Sequence, residues 1–483
     1  MTTMGWQHFL IFWGVWILIP LCIDVFKSLN DAFLVWRHRR MAKLYPPLPR
    51  RSLPKVSVII PAYNEQLNID RCITSLKAQT YPHHLIEIIV INDGSTDRTE
   101  EVVNGHINGT AHWNGHIRLH NRIIPAREFG GVMTLVQGEH KGKPTAVNLG
   151  IKQCRGELIF AVDSDVVLEP EAVEQAVAAF RVDPHLQAAT AHLIIDPNLL
   201  VEANDKGYIR LDEDDLPILK ELTFSQKFLA SAQFFEYLQA FRIGRHAEAV
   251  RQELFTLSGA CAIFRREVIQ RMNGYRGRTV SEDTDATLTL QRAQERVGYL
   301  PQVRIHLAPV TNWRDLYSQR VRWQRGEIEV MAVNSDLLGK RGRFWSWTMP
   351  RRLQNDHALA LLRLIWAFLL PLFPFFGYET SVIAQAAALM YTLYVLTDAV
   401  QMAVAWPVCA RSERRLLRKS ALYLPLLALY RTVVYFFRLS GILKVLSEEP
   451  RWTTRGEWLE ELQLQGLKRS VAWLGGLVDI WAE

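Results

Sequence analysis

Two carboxylates, one residue apart, close an apolar run in Leu158-Ile159-Phe160-Ala161-Val162-Asp163-Ser164-Asp165. Residues i and i+2 of a strand point the same way, so Asp163 and Asp165 converge as the chain leaves the core. Charge brought to the edge of a core must be paired or bound. Oxygen ligands suit hard cations such as Mg2+ or Mn2+, which use few protein groups and complete their shell with substrate phosphates. The rival reading is a turn whose aspartates cap a helix around 169–180. An Asp-x-Asp pair alone leaves both open.

A second group of residues handles anions. Lys143 stands just before Pro144, a favoured first residue of a helix. A lysine at a helix N-terminus makes an anion site. A nucleotide-triphosphatase loop is excluded, because Gly138-Glu139-His140-Lys141-Gly142-Lys143-Pro144 has three residues between its glycines and a proline where a hydroxyl is required. Farther on, Ser281-Glu282-Asp283-Thr284-Asp285 opens a helical pattern. There the alternative for Asp283 is an N-cap role.

The elements that must position these groups are legible around them. Lys55–Ile60 and Glu87–Asp93 are short β-branched runs, and Asn68–Gln79 between them has helical spacing. Strand, helix, strand at this interval predicts a parallel α/β sheet, with Glu157–Asp163 as a third strand. Such sheets bind ligands at the carboxyl ends of their strands. The three predicted strands end in Pro61-Ala62-Tyr63-Asn64-Glu65, Asn92-Asp93-Gly94-Ser95 and Asp163-Ser164-Asp165. One crevice would gather all three.

These motifs, with Gly142–Gly150, Ser281-Glu282-Asp283 and Gln319–Trp323, follow one another as they do in the family-2 glycosyltransferases, and residues 55–335 resemble that family. The resemblance implies a GT-A fold, a Rossmann-like and mostly parallel sheet. It also implies a nucleotide-diphosphate sugar donor, UDP-linked in expectation, a divalent metal (Mg2+ or Mn2+), and inversion at the anomeric carbon. It assigns Tyr63, Glu65 and Asp93 to the nucleoside, Lys143 to the diphosphate, and Asp165 to the metal with support from Asp163, which also touches the nucleotide. Asp283 would be the general base, supported by Glu282, and Ser258 and Gly259 would floor the acceptor site. Gln319-x-x-Arg322-Trp323 resembles the processive synthases of cellulose, hyaluronan, chitin and poly-N-acetylglucosamine. In them Trp323 would cover the acceptor sugar and Arg322 would reach the diphosphate. The arrangement is also similar to glycosyltransferases of Gram-positive exosortase loci.

Outside this region the 483-residue chain is strongly apolar in blocks. Residues 6–26 match the roughly 20 apolar residues that cross a bilayer. A signal peptide would want a basic start, which Met1–His8 lacks. The block is expected to be an anchor (1–30), followed by a basic, proline-rich linker (31–54). After the catalytic region, with interfacial helices near 228–249 and 311–333, a membrane region (336–440) would hold spans near 358–378, 380–408 and 421–437. The last, carrying Arg431 with Arg438 on the same face, reads either as a span or as a helix lying in the interface. An amphipathic tail (441–483) would close the chain. Basic clusters at Arg37–Lys43 and Arg411–Lys419 suggest a multi-pass protein of the cytoplasmic membrane with its catalytic region inside.

The net charge of +7 thus fits anionic lipid and an anionic donor, and the reading excludes nucleic acid as a partner. Five separate cysteines show no zinc spacing and no disulfide framework. Eroded carboxylates would have suggested a non-catalytic secretion partner, but all are present. The acidic stretch 201–222 reads as a solvated loop rather than a second cation site. The expected function is elongation, with translocation, of a β-linked polysaccharide. Transfer of one sugar to polyprenyl phosphate or another lipid is the alternative.

Overall fold

The structure is a computed structural model describing residues 15–41, 52–111, 116–119, 122–125, 127–205, 208–214, 216–339, 344–353, 364–365 and 368–447. Its centre is an eight-stranded sheet. The strands are β1 (Val56–Ala62), β2 (Ile86–Asn92), β3 (Val132–Gln137), β4 (Leu158–Val162), β5 (Val167–Leu168), β6 (Leu186–Ile195), β7 (Cys261–Arg265) and β8 (Arg296–Leu307), in the order β3-β2-β1-β4-β7-β6-β8-β5. β1 runs parallel to β2 and β4, and β2 to β3, so the predicted three strands lie side by side. β7 is inserted antiparallel between β4 and β6. This brings Ser258 and Gly259, just before β7, beside the end of β4. The result is the expected mostly parallel GT-A sheet.

β4 is buried at all five residues, which is why its sequence is continuously apolar rather than alternating. Helices α1 (Val15–Met41), α2 (Ile69–Lys77), α3 (Thr99–Asn108), α4 (Lys143–Gln153) and α5 (Ala172–Val182) come before β6. Gly150 lets α4 lie on β1, since a Cβ there would come within 2.4 Å of the Ile59 side chain. The helix at 172–182 is not capped by either aspartate of the Asp163/Asp165 pair, which leaves both carboxylates in the crevice.

The segment expected as an interfacial helix at 228–249 is α6 (Phe224–Tyr237), a π-helical turn (Leu238–Arg245) and α7 (His246–Val250). It is held between the sheet and the helices around it, and Phe228, Leu229, Phe234 and Phe235 belong to the main core. α8 (Glu282–Arg292) carries the Ser-Glu-Asp motif, and α9 (Trp313–Val333) occupies the second expected interfacial segment.

α10 (Thr380–Ala405), α11 (Arg411–Ala421) and α12 (Leu424–Ser447) follow. Among the described residues, two helical stretches, Thr380–Val408 and Leu424–Val445, are long and apolar enough to cross a membrane. The block read as 421–437 is therefore longer than its apolar core suggested, and residues 441–447 of the expected tail continue α12. Arg431 and Arg438 face protein partners: Arg431 pairs with Asp398 of α10, and Arg438 donates to Gln324 of α9 at 2.6 Å. In the block at 358–378, Leu370–Phe376 forms a 3-10 helix ending at Gly377. The first half of the expected anchor, most of the 31–54 linker beyond α1, and the tail from 448 lie outside the described residues. The acidic stretch 201–222 closes on itself through the bridges Val201–Leu219, Ala203–Ile209 and Leu211–Pro217.

Candidate active site

The loops after β1 and β2 are knitted together by Asn64, a non-glycine residue at φ 56°. Its side-chain oxygen accepts from the N–H groups of Thr96 and Asp97 at 2.8 and 3.3 Å, and its own N–H donates to Ser95. Asparagine tolerates this left-handed conformation better than most side chains, which gives Pro61–Glu65 a structural reason beyond its chemistry. Tyr63 is 43% exposed and stacks on His140 at 4.0 Å. Beside it, the Glu65 carboxyl accepts from Asn68 at 2.7 Å. Burial pushes its pKa up, and Asp163 and Asp97 add to that.

Asp93 closes β2 and is buried. Its two carboxylate oxygens accept the N–H groups of Lys141 and Gly142 at 3.1 and 3.0 Å. Asp93 thus shapes the entry to α4, whose N-cap Gly142 sits at φ 87°. The Lys143 ammonium then reaches Asp163 at 2.6 Å and Glu282 at 3.4 Å, and donates to the Gly259 carbonyl at 3.3 Å. Burial works against its charge, but the Asp163 and Glu282 carboxylates prevail and raise its pKa. Lys143 is a firmly held cation.

Asp283 projects from the first turn of α8, where Ser281, not Asp283, is the N-cap. Its carboxylate accepts from the N–H of Gly259 at 2.8 Å and that of Thr284 at 2.7 Å. Gly259 is the meeting point: a Cβ there would stand 3.0 Å from the Lys143 ammonium and 3.2 Å from the Asp283 carboxylate. Glu282 is buried next to them. Desolvation raises its pKa, Lys143 opposes this, and Asp283 adds to it. Ser258 donates its N–H to Thr190 of β6, which fixes the floor.

Two residues outside the sequence reading belong here. Tyr275 lines the small cavity bounded by Lys143, Asp163, Gly259 and Glu282. Asn148 of α4 clamps the Tyr275 backbone, donating to its carbonyl at 2.7 Å and accepting its N–H at 2.8 Å. The asparagine inside Gly142–Gly150 was the available signal. Asp285, read only as a helix opener, makes a bidentate pair with Arg278 at 2.7 and 2.9 Å.

The Gln319-x-x-Arg322-Trp323 residues sit apart from the Gly259 cluster. Arg322 is exposed and Trp323 is 40% exposed. Their buried neighbour is Arg320, which the motif leaves unspecified. It holds Gln319 at 2.8 Å and Glu236 of α6 at 2.6 Å, and lies 4.3 Å from the Trp323 ring centre. Tyr237 links this platform to the crevice, with its ring 6.1 Å from Trp323 and Asp165 close enough to affect its titration.

Residues 57–272 match the model of glycosyl transferase family 2, and residues 221–408 that of glycosyl transferase family group 2. The chain belongs to the family-2 glycosyltransferases. Among curated family members, a probable glycosyltransferase of Bacillus subtilis is 25% identical over 282 residues, 58% of this chain and 57% of that protein. The poly-β-1,6-N-acetyl-D-glucosamine synthase of Staphylococcus aureus is 22% identical over 299 residues, 62% of this chain and 61% of its own. The chain thus spans about three-fifths of the curated relatives it matches. A mannosyltransferase from Pyrobaculum calidifontis, solved with GDP-Man and Mn2+, shares the fold at TM-score 0.52 and 18% identity, covering 90% of this chain and 99% of its own.

The divalent cation that the resemblance implies would take hard oxygen ligands. Among the described residues no three His, Cys, Asp or Glu side chains cluster to hold a metal unaided. Two carboxylates completed by substrate phosphates nevertheless suffice for Mg2+. Asp165 is pushed up to about 7 by burial and by the negative charges of Asp163 and Glu65, against which Lys143 acts only in part. A carboxyl set among other carboxyls is short of positive charge. Asp165 with Asp163 fits a hard cation, and the donor set contains nothing soft.

Proposed function

We propose that the protein transfers a sugar from a nucleotide diphosphate, UDP in our reading, to an acceptor hydroxyl with inversion, elongating a β-linked polysaccharide at the cytoplasmic membrane and passing it across. The observation that carries this is the meeting of the Lys143 ammonium and the Asp283 carboxylate over Gly259, beside Asp163 and Glu282. The similarity to a poly-β-1,6-N-acetyl-D-glucosamine synthase supports the polymer, as does the exposed indole of Trp323 on α9.

Asp283 accepts the proton of the attacking hydroxyl. The N–H groups of Gly259 and Thr284 orient it. Lys143 faces the leaving diphosphate and offsets the charge that grows there as the glycosidic bond breaks. Tyr63, Glu65 and Asp93 border the nucleoside, and Ser258 and Gly259 leave room for the acceptor. Asp165 and Asp163 would hold Mg2+ or Mn2+, whose charge would further neutralise the diphosphate. Gln319, Arg322 and Trp323 guide the acceptor, the ring offering a flat face to sugar C–H groups. In this reading residues 55–335 form the cytoplasmic catalytic domain and the apolar helices around it the multi-pass anchor and exit path.

Membrane vesicles given labelled UDP-sugars with Mn2+ or Mg2+, and analysed by product size, test the reading. A ladder of long products is expected. Products carrying a single sugar would remove processivity, and no transfer from any UDP-sugar would remove the donor assignment.

A further inference from the structure

The residues that follow Trp323 on α9 press on the loop that leads into α8. Gly326 lies against Ser281, the N-cap of that helix. A Cβ at Gly326 would overlap the Ser281 hydroxyl and stand 2.8 Å from its Cβ and 3.0 Å from its N. About one turn farther along α9, the Glu329 carboxylate accepts the Val280 N–H at 3.0 Å through one oxygen. Its other oxygen accepts from Arg325 at 2.7 Å.

Glu329 and Arg325 are both buried. A buried ion pair seldom repays its desolvation in stability. An arginine four residues before a glutamate is also the weaker orientation on a helix. Stability is therefore a poor reason for this pair. Its geometry offers another, because Arg325 fixes a carboxylate whose free oxygen meets a backbone N–H three residues before Asp283. The rest of the loop is tied to other parts of the site. Tyr275 gives its N–H to Asn148 of α4, Arg278 pairs with Asp285 of α8, and the Thr279 hydroxyl donates to the Ser281 carbonyl. Gly326 and Glu329 tie it to α9.

We propose that Glu329 is a positioning residue for the transfer reaction. It fixes Val280, and through Val280 the first turn of α8 and the line along which Asp283 meets the acceptor hydroxyl. Trp323 rides on the same helix, so the surface that receives the acceptor and the loop that aims the base share one support. A base must lie within hydrogen-bond reach of the proton it takes. Misplacement by about 1 Å costs on the order of 100-fold in rate. The inference rests on the reading of Asp283 as the base.

The test compares two double variants of the full chain in detergent, both of which remove the charge pair. Arg325→Met with Glu329→Gln leaves an amide oxygen for the Val280 N–H. Arg325→Met with Glu329→Met leaves no acceptor there. Uncharged side chains of similar size commonly replace a buried pair without loss of folding, and UDP binding at wild-type affinity in both variants shows it. Hydrogen exchange of the segment 276–284, read by mass spectrometry, should match the wild type in the glutamine variant and be about tenfold faster in the methionine variant. Transfer is followed with UDP-glucose or UDP-N-acetylglucosamine, whichever the wild type turns over faster. The glutamine variant should keep kcat within about threefold, and the methionine variant should lose about 10- to 100-fold with the donor KM unchanged. In an Asp283→Asn background the methionine pair should cost nothing further, since Glu329 acts through Asp283. Equal exchange or equal kcat in the two variants overturns the proposal. So does a further loss in the Asp283→Asn background, or a donor KM that rises as kcat falls. Undiminished transfer by Asp283→Asn alone would sink the base assignment separately, while the exchange contrast still judges the hold on Val280.

Discussion

Gly259 concentrates the chemistry into one backbone position. Its N–H orients Asp283, its carbonyl receives Lys143, and its missing side chain leaves the gap between them. Gly259→Ala should therefore lower kcat about 10- to 100-fold while the fold survives, because a Cβ at 3.0–3.2 Å shifts both charged groups by tenths of an ångström. Steady-state kinetics beside a melting curve separates the two effects. Asp283→Asn should cost about 10²–10⁴-fold in transfer with UDP affinity kept, since only the proton acceptor is lost. Full activity in that variant would refute the base. At this scale the sequence was informative about identity and poor about bonding. Asp163, Asp165, Lys143 and Asp283 stood out because several polar strand and helix ends follow one another in one region, not because any one of them is unusual. Nothing local revealed that Asp93 spends both oxygens on the Lys141 and Gly142 N–H groups, or that Tyr275 completes the cavity. Both depend on chain segments distant in sequence.

Elements carry the second layer of design. α9 is fastened to α6 and α12 through Arg320, which binds Glu236 and approaches the Tyr430 hydroxyl at 3.4 Å. Arg320→Gln should raise the acceptor KM several-fold and leave the donor KM alone, as Trp323 loses its support from beneath; an equal rise in both would contradict this. On the opposite face, α11 is pinned to the sheet by Glu413, which takes both His192 of β6 and Arg242 of the π turn. Tyr299 of β8 bonds the other ring nitrogen of His192 at 2.8 Å. Burial first, and then Arg242, draws the His192 pKa down to about 4, and Arg242 and His192 hold Glu413 well below the usual carboxylate range despite its burial. In both cases the unfolded chain binds more protons, so stability falls with acidification, from about pH 6.5 for the histidine. Melting temperatures of the solubilised protein should decline from pH 6.5 toward 4, and His192→Asn should flatten that decline. The strands and α4 were legible from β-branched runs and Pro144, whereas the π turn was not, because a one-residue bulge leaves helical periodicity almost intact.

For the whole molecule, the apolar blocks announced the membrane-length helices, and the arginine in the last block was the ambiguous sign. Arg431 meets Asp398, which is fully buried in α10, so the arginine is answered inside the protein whether its helix spans or lies in the interface. Asp398→Leu should destabilise the protein by about 3–5 kcal/mol by stranding the arginine, and Asp398→Leu with Arg431→Leu should recover much of the loss. Denaturation in detergent reads both, and additive losses would contradict a direct pair. The sheet order was only partly legible: three neighbouring strands followed from motif spacing, while the antiparallel β7 needed contacts across some 100 residues.

Gly441 of α12 sits so close to α9 that a Cβ there would come within 2.8 Å of Gln324 and 3.0 Å of the Val321 carbonyl. With Arg438 gripping Gln324 one turn away, the two helices form a rigid bracket. Trp323 therefore takes its height from the seat of α12, while Lys143 and Asp163 take theirs from the sheet. In the proposed reading, the distance between the sugar received and the sugar given is a tolerance set where the bracket meets the sheet, at α6.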